Sequence, residues 1–373
     1  MSDGLAINGR FHQLEPGGFR TYAVEVAKRL PGEVLIPPKS MSRGFRGRWW
    51  EGFVLPRLAR DRTLLNLTGS APTGRGRQVT VIHDVLPLLL PGCYASAYVK
   101  LFRRQVRRVI DSASALVVPS AQVRTHLVHG FGADPESTWV APPGLHRPVP
   151  NPDAAGGLSL VLGELGISPD LPLVVGFNSS IPRKNGAQTL AVLEGVVAAR
   201  RDVAVVAVGA DGPVRVFGRS SRPQSSIVPD LGTIDGSLFD ALLVRANVVV
   251  SMSLGEGFGL VPLEAAVRGS AVVSTPVPSL DHLSQNCTVV QSAADATTAV
   301  LDLVGTPPVD YSHLHHRLSW HGTAELVQRA VHSVNAADHP ARDSMGGHCA
   351  PVGLLAIDGV SGKSKGRSDP WHA

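Results

Sequence analysis

Two glutamates eight positions apart, Glu256 and Glu264, are the first residues whose types and spacing point to chemistry. They lie in SMSLGEGFGLVPLEAAVRG, residues 251–269. A carboxylate accepts hydrogen bonds from hydroxyl groups, so such a pair suits a neutral, polyhydroxylated ligand. In one continuous helix the carboxylates would be about 12 Å apart along the axis. Glycines at 255, 257 and 259 argue against that helix, and predict a loop to about Leu260 and a helix that starts near Pro262.

This stretch has the pattern of a strand, a glycine-rich turn and a helix, because NVVVSMS precedes the turn and VPLEAAV follows it. In an open α/β sheet such a turn directs backbone N–H groups and the positive end of the helix into the crevice beyond the strands, where phosphate binds. Residue types alone leave a second interpretation equally open, in which Glu256 caps the helix and Glu264 is a solvated helix residue. A dinucleotide site is less well supported, since GEGFGL lacks the third glycine of G-x-G-x-x-G.

The rest of the chain predicts two α/β domains, because 373 residues exceed one ordinary core. β-Branched apolar runs alternate with amphipathic segments of helical length, which is typical of parallel sheets covered by helices. Residues 142–157 interrupt this alternation with five prolines and three glycines, and predict a linker. We therefore expect an N-terminal Rossmann-like domain over 1–150, a C-terminal one over 158–337, and a disordered tail over 338–373.

Composition and charge restrict the class of protein. The three cysteines lack disulfide or metal-ligand spacing, which favours a reducing cytoplasm. No apolar run approaches the roughly 18 residues of a membrane span, and the N-terminus lacks the apolar centre of a signal peptide. No D-x-D motif occurs, and the histidines of 313–321 lack zinc-ligand spacing, so no metal or other cofactor is predicted. Residues 1–150 contain 20 basic and 10 acidic residues (+10), and the remainder contains 15 and 20 (−5).

The glutamate stretch resembles the E-x7-E motif of the family 4 glycosyltransferases, which are retaining enzymes that move a sugar from a nucleotide sugar to an acceptor. Other segments resemble this family in the same order along the chain: VTVIHDVLPLLLP, LVVPSAQVRTHLVHGFG, VAPPGL, VVGFNSSIPRKNGAQTL and LSWHGTAELV. The resemblance covers about residues 5–335. It implies the GT-B fold, in which two doubly wound Rossmann-like domains face each other across a cleft.

For the second domain, the resemblance implies a donor-binding site. Glu256 would hydrogen-bond the donor sugar, and Glu264 would hold the nucleotide ribose. Arg183 and Lys184 would offset the diphosphate charge, which grows as the glycosidic bond breaks. The amides of the turn Gly257, Phe258, Gly259 and Leu260 would approach the sugar and phosphates. Without the family context, an Arg-Lys pair after a proline is ordinarily solvated surface.

For the first domain, the resemblance implies that His83 faces the reacting sugar at the end of its strand. With Glu256 and Lys184 it completes the predicted catalytic set. The loop of Gly17 and Gly18 would approach the donor phosphate and the acceptor. A structural histidine and a plain turn before a helix remain the alternatives for these positions.

Two departures from the family pattern bear on activity. Many members carry an arginine five positions before the lysine, where this chain has Ser179, and many have a Pro-Glu pair where this chain has SLDHLSQN after Pro278. These differences keep a degenerate, non-catalytic partner subunit as one alternative. A nucleotide-sugar epimerase or hydrolase of the same fold is another.

The function expected from the resemblance is retaining transfer of a hexose, with mannose favoured, from a nucleotide-diphosphate sugar to a glycan or lipid-linked acceptor. A basic helical face of Lys100, Arg103, Arg104, Arg107 and Arg108, and the arginine- and aromatic-rich segment 43–62, would suit an anionic membrane surface. A generally basic, solvated surface is equally open. Nucleic acid is not predicted, because no recognition module accompanies the charge. We therefore expect a cytoplasmic protein that associates peripherally with the inner membrane face.

Overall fold

The computed structural model describes residues 4–15, 17–41, 44–74, 77–147, 151–218 and 220–338, and these form two parallel β-sheets covered by helices. The α/β class predicted from the sequence is confirmed. The predicted tail lies outside the described residues, apart from its first position. Among the described residues, no helix has both the length and the apolar character that crossing a membrane requires.

The first sheet contains six parallel strands in the order β2-β1-β3-β4-β5-β6. Its strands are β1 (Leu5–Asn8), β2 (Gly32–Leu35), β3 (Thr63–Asn66), β4 (Gln78–Val81), β5 (Ala115–Val118) and β6 (Thr138–Val140). The helices between them are α1 (Gly18–Ala27), α2 (Gly44–Trp49), α3 (Leu55–Ala59), α4 (Leu86–Leu89), α5 (Ser96–Ser112) and α6 (Ala121–Phe131), with a π-helical turn at Trp50–Val54. Apolar residues point alternately to two helical layers, since successive strand side chains face opposite sides.

The second sheet contains five parallel strands in the order β11-β10-β9-β7-β8. Its strands are β7 (Leu173–Phe177), β8 (Ala204–Val208), β9 (Val248–Ser251), β10 (Ala271–Ser274) and β11 (Cys287–Val289). Its helices are α7 (Pro152–Glu164), α8 (Gly186–Ala199), α9 (Val214–Phe217), α10 (Gly236–Arg245), α11 (Leu260–Ala266), α12 (Ala293–Leu303) and α13 (Leu314–Arg317). Strand order reverses beside β7 and β9, and ligands of doubly wound folds bind outside the carboxyl ends of the strands at such a point.

The last described helix, α14 (Trp320–Asp338), returns to the first sheet. Its buried residues Trp320, Val327 and Val331 belong to the same apolar core as Ile7 and Val117 of that sheet. The sequence placed this segment in the range 158–337, but the structure places its packing in the first domain. An amphipathic helix shows which face is apolar and not which sheet that face will cover, so the sequence could not assign it.

Two predicted boundaries differ from the structure. Residues 142–157 were predicted as a linker, but α7 already begins at Pro152, where the side chain of Asn151 accepts a hydrogen bond from Ala154 N (3.1 Å). Proline is favoured in the first turn of a helix, so the proline interpreted as a breaker is a helix start. The helix after the glycine turn begins at Leu260 and not near Pro262.

Candidate functional site

Glu256 forms ion pairs with both predicted diphosphate ligands. Its carboxylate oxygens lie 2.8 Å from Arg183 Nη1 and 2.6 Å from Lys184 Nζ. Arg183 and Lys184 occupy a short 3-10 turn, Pro182–Lys184, that follows β7. Leu254 N donates to Arg183 O (2.8 Å), which fixes that turn against the glycine-rich turn after β9. The structure therefore brings Glu256 into contact with two adjacent cationic residues more than 70 positions before it.

The charge state of Glu256 follows from these contacts. The side chain is only 13% exposed, and burial by itself raises the pKa of its carboxyl. The charges of Lys184 and Arg183 outweigh burial and lower the pKa to about 2. The carboxylate is therefore ionised at neutral pH, and two cations are concentrated around it.

The glycine-rich turn makes a close contact with the first domain. A Cβ atom at Gly257 would lie 2.1 Å from the backbone oxygen of His83, a distance that no side chain could tolerate. Ser120 Oγ, at the start of α6, donates to Gly257 O (2.7 Å) across the same boundary. The absence of a side chain at 257 thus allows the two domains to meet at the predicted site.

The second half of the turn is held from within its own domain. Gly259 has φ +92°, and a Cβ there would lie 2.8 Å from Val277 Cγ2. The fully buried Ser279 donates from its hydroxyl to Gly259 O (2.5 Å) and from its backbone to Phe258 O (2.8 Å). Ser279 lies in the segment that departs from the family pattern, and here it shapes the predicted donor-binding turn.

His83 lies in a buried aromatic environment after the end of β4. Its ring stacks on Phe19 with centroids 4.5 Å apart and meets the edge of Tyr22 at 5.1 Å. Nε2 donates to Leu67 O (2.9 Å), because a carbonyl oxygen can only accept, so Nδ1 is the unprotonated nitrogen of the neutral ring. Burial lowers the pKa of His83 to about 4, against a smaller opposing effect of the Leu67 hydrogen bond. His83 is therefore neutral at pH 7, and its predicted role at the reacting sugar stays a prediction.

Glu264 differs from Glu256 in having no cation on its carboxylate. It lies half-buried in α11, and Arg268 in the next turn donates instead to the Glu264 backbone oxygen (2.9 Å) and to Asp240 Oδ1 (2.7 Å). Within the described part of the chain, no hydrogen-bond donor reaches the Glu264 carboxylate. Burial raises its pKa to about 7, although the charge of Arg268 lowers it somewhat.

The first-domain glycine loop faces the start of α11. Gly18 is the first residue of α1, and a Cβ there would lie 3.7 Å from Leu260 Cδ1. Gly17 precedes it as the residue before the helix. The structure thus brings Gly18 close to the predicted donor turn. The approach of this loop to the donor phosphate and the acceptor stays a prediction.

Asp84 is a site residue that the sequence analysis did not select. It is half-buried beside His83, and its Oδ1 accepts from Leu86 N (3.0 Å) at the start of α4. Burial raises the pKa of Asp84, and the nearby charge of Arg183 counteracts part of that increase. The HD pair in VTVIHD was the available signal, but only its histidine was chosen.

Ser179, which replaces the family arginine, is used inside its own loop. Its hydroxyl donates to Ala210 O (2.5 Å) and accepts from Ile181 N (3.1 Å). It therefore supplies no charge to a diphosphate. Within the described ranges, no group of three or more His, Cys, Asp or Glu residues could hold a metal ion. The expectation that no metal takes part stays a prediction.

A cavity of about 290 Å³ borders this cluster, and Glu256, Gly255 and Asp84 are among its lining residues. Another cavity, of about 1000 Å³, lies between α7 and α10 and extends to Arg268. It includes none of the predicted site residues. The smaller cavity is therefore the one related to the predicted chemistry.

Residues 172–338 match a family model described as Glycosyl transferases group 1. The match runs from the start of β7 to the end of α14. The glycosyltransferase match covers Arg183, Lys184 and both glutamates, and confirms the resemblance to the family 4 glycosyltransferases. The first domain lies outside the matched range.

Two curated glycosyltransferases are similar to part of the chain. A D-inositol 3-phosphate glycosyltransferase of Paenarthrobacter aurescens (strain TC1) is 29% identical over 183 residues, which are 47% of this chain and 44% of the relative. The serotype-specific mannosyltransferase WbdA of Escherichia coli is 24% identical over 272 residues, which are 66% of this chain and 32% of the relative. The chain thus spans less than half the length of these relatives.

Two solved structures share the fold over most of the chain. WaaG, a glycosyltransferase involved in lipopolysaccharide biosynthesis, aligns with a TM-score of 0.58 at 15% identity, over 88% of this chain and 99% of that chain. Sucrose-phosphate synthase (tll1590) from Thermosynechococcus elongatus aligns with a TM-score of 0.58 at 16% identity, over 90% and 97%. The predicted GT-B fold is confirmed.

Proposed function

We propose that this protein is a retaining glycosyltransferase that moves a hexose from a nucleotide-diphosphate sugar to a glycan or lipid-linked acceptor. The observation that carries the proposal is the cluster of Glu256, Arg183 and Lys184, in which Glu256 lies before α11 in the glycine-rich turn whose Gly257 closely approaches the His83 backbone. The cluster supplies carboxylate acceptors for sugar hydroxyls and two cations for a diphosphate.

When the donor binds, Arg183 and Lys184 exchange one anionic partner, Glu256, for another, the diphosphate. In the free protein Arg183 and Lys184 neutralise Glu256. An entering diphosphate attracts the same cations and frees Glu256 to accept hydrogen bonds from the sugar. Glu264 accepts from the ribose hydroxyls, since no described donor occupies its carboxylate.

Transfer follows front-face displacement. The bond from the anomeric carbon to the diphosphate oxygen breaks, and the acceptor oxygen bonds to the same face of that carbon. The acceptor proton passes to the leaving phosphate. Arg183 and Lys184 stabilise the charge that develops on the diphosphate, so they act most strongly in the transition state.

Hexose transfer, with mannose as the favoured sugar, is supported by the names of the relatives, one of which is a mannosyltransferase. The RKN segment at 183–185 and the HD pair support the same choice. An epimerase or hydrolase of GT-B fold would form the same donor site, but would release an epimer or free sugar without an acceptor. A non-catalytic partner subunit would bind no nucleotide sugar.

A panel of nucleoside diphosphates and their sugars, measured by thermal shift, tests the proposal. A true donor raises the melting temperature, and the increase grows with the logarithm of its concentration above Kd. The matching Glu264→Gln protein should show a smaller increase with the same compound, because a neutral amide oxygen accepts more weakly from the ribose hydroxyls than a carboxylate does. If no compound in the panel stabilises the wild-type protein, the donor site is not functional.

The acceptor side of the proposal includes an anionic membrane surface at the cytoplasmic face. On α5, the five basic residues named above are all exposed. On α2 and the π-helical turn, Phe45, Trp49 and Phe53 are spaced four apart and are also exposed. The adjacent Glu51 is buried and paired with Arg10, which anchors this segment while the aromatic residues face outward. Aromatic and basic residues together suit a lipid headgroup region.

Sedimentation with vesicles tests this part. The protein should sediment with phosphatidylglycerol vesicles at low salt, sediment less at high salt, and remain in solution with phosphatidylcholine alone. Failure to bind anionic vesicles at low salt would show that the protein does not associate with an anionic membrane surface. The proposal of donor binding would not be affected by that result.

A further inference from the structure

We propose that the 290 Å³ cavity beside Glu256 receives the terminal, uncharged sugar ring of the acceptor, and that Asp84, Gln122 and His126 select it. This inference rests on the proposed transferase function and adds the chemical class of its acceptor. We call this cavity the cleft cavity; its polar lining residues are Asp84, Gln122, His126 and Glu256.

The cleft cavity is shared unequally between the domains. Eight of its twelve lining residues come from the first domain, on α4 and α6 and the residues before α4. The remaining four come from the second domain and include Glu256 and Gly255. A ligand held mainly by the first domain, with one edge at Glu256, is in position to meet a sugar that the second domain presents.

The polar groups of the cleft cavity match hydroxyl groups. Asp84 and Glu256 supply carboxylate oxygens, Gln122 supplies an amide and His126 an imidazole. Together they can accept and donate hydrogen bonds in several directions, as a ring with hydroxyls on every side requires. Apolar residues such as Leu89, Val123 and Pro276 offer surfaces for the C–H face of such a ring.

The charge of the cleft cavity disfavours a phosphorylated ligand. Among the described residues that line it there is no lysine or arginine. Burial lowers the pKa of His126, so the imidazole contributes no positive charge at neutral pH. Arg183 and Lys184 lie nearby, but they pair with Glu256 in the free protein and, under the proposed function, with the donor diphosphate once it is bound. A phosphate in the cleft cavity would face carboxylates with no cation of its own, which is costly in a partly desolvated site.

Saturation-transfer NMR tests this inference with methyl α-glycosides of mannose, glucose and galactose, and with the corresponding 6-phosphates. At least one neutral methyl glycoside should bind, and its phosphate should bind at least fivefold more weakly. Gln122→Leu and His126→Leu should each reduce binding several-fold. His129→Leu is the matched control, because His129 is on the same helix but outside the cleft cavity, and it should bind as the wild type does.

Asp84 is tested by Asp84→Asn, which keeps an oxygen to accept from Leu86 N and removes the charge. This variant should fold normally and bind neutral glycosides more weakly. The ratio between its affinity for a neutral glycoside and its affinity for the corresponding 6-phosphate should be smaller than in the wild type. Equal or tighter binding of the phosphates by the wild type would overturn the inference. So would glycoside binding that the His126 and Gln122 variants leave unchanged.

The test separates this inference from the proposed function. If a nucleotide sugar stabilises the protein but no glycoside binds, the acceptor assignment alone is wrong. If glycosides bind but no nucleotide sugar does, the transferase proposal is wrong. Displacement of the bound glycoside by the intact nucleotide sugar would show that the cleft cavity holds the donor's own sugar, and would also overturn the acceptor assignment.

Discussion

At the scale of single residues, the central feature of the site is a carboxylate that two cations hold in place before any ligand arrives. Two unpaired cations beside a glycine-rich turn would repel each other and be solvated independently. With Glu256 between them, Arg183 and Lys184 are fixed in position at the cleft. Under the proposed function this arrangement would be preorganised for a diphosphate, and donor binding would have to supply the free energy to break both ion pairs.

Replacing Glu256 by glutamine tests both its pairing and its role in transfer. Glu256→Gln should reduce transfer by about a hundredfold, the scale expected when one electrostatic contact to the transition state is lost. It should also lower the free energy of unfolding by about 2–3 kcal/mol at pH 7, because the two cations are left without their partner. Urea unfolding and donor turnover measure the two effects.

The stability effect of Glu256 has a defined pH dependence. A carboxyl whose pKa is lowered in the folded state contributes stability above its unfolded value of 4.5, and loses it as the pH falls towards about 2. The difference between wild type and Glu256→Gln should therefore decrease below about pH 4.5. Glu136→Gln, at an exposed position, is the control and should show little difference at any pH. A difference that stays constant into acid would contradict the assigned ion pairs.

Glu264 predicts a different pH dependence, in ligand binding. Its pKa of about 7 means that the carboxyl is half protonated at neutral pH in the free protein. Ribose hydroxyls donate to the ionised form, so nucleoside diphosphate affinity should rise between pH 6 and pH 8. The phosphates of the ligand titrate in the same pH range, because their pKa is about 6. Calorimetry on Glu264→Gln separates the titration of the Glu264 carboxyl from that of the ligand phosphates. The affinity of the variant should retain only the pH dependence of the ligand itself.

The sequence could predict these residues because family motifs fix residue type and spacing. It could not predict that Arg183 and Lys184 form ion pairs with Glu256 instead of lying on a solvated surface. That contact joins segments more than 70 positions apart. Ser120 and Ser279 were missed for the same reason. A serine is common everywhere, and only the folded chain shows that one donates to Gly257 O and the other to Gly259 O.

At the scale of elements, the glycine-rich turn is one of the parts of the second domain that contact the first, as α9 also does through Val216 O, which accepts from Ala95 N. Its glycines serve different purposes. Gly259 adopts a positive φ that other residues rarely adopt, whereas Gly257 allows close approach to the His83 backbone. The sequence predicted the strand, turn and helix correctly, and placed the helix start two residues late.

Gly257→Ala tests the close approach. A methyl group 2.1 Å from His83 O must push the turn and the first domain apart. Donor turnover should fall at least tenfold, because a shift of about 1 Å at a reacting centre can cost a hundredfold. Gly157→Ala in α7 is the control, since open space surrounds that position, and it should raise stability by about 0.5–1 kcal/mol. Full turnover by Gly257→Ala would show that the contact is not needed.

Element types were more predictable than element boundaries. Ten strand positions follow from apolar β-branched runs, because burial of a parallel strand on both faces requires them. The three-residue β11 was missed, since Cys287–Val289 is too short and too polar to form such a run. The linker prediction was wrong at its C-terminal end because proline and glycine mark both breaks and helix starts.

At the scale of the whole molecule, the chain crosses from the first sheet to the second and then returns through α14. Gly144 lies at this return, where a Cβ would be 2.3 Å from Trp320 N. The first apolar core is therefore completed by residues that lie 180 or more positions after the end of its last strand. This long connection makes the first domain depend on the C-terminal part of the described chain.

Val327→Ala tests that dependence. Val327 is fully buried against the first sheet, so its truncation should lower the free energy of unfolding by about 1–3 kcal/mol. Hydrogen exchange should show faster opening of β3, β4 and β5, while β7 and β9 remain protected, because α14 packs against strands of the first sheet. Val244→Ala, at an exposed position of α10, is the control and should change neither sheet. Faster exchange confined to the second sheet would place the stabilising role of α14 in the other domain and contradict the assignment of this helix to the first core.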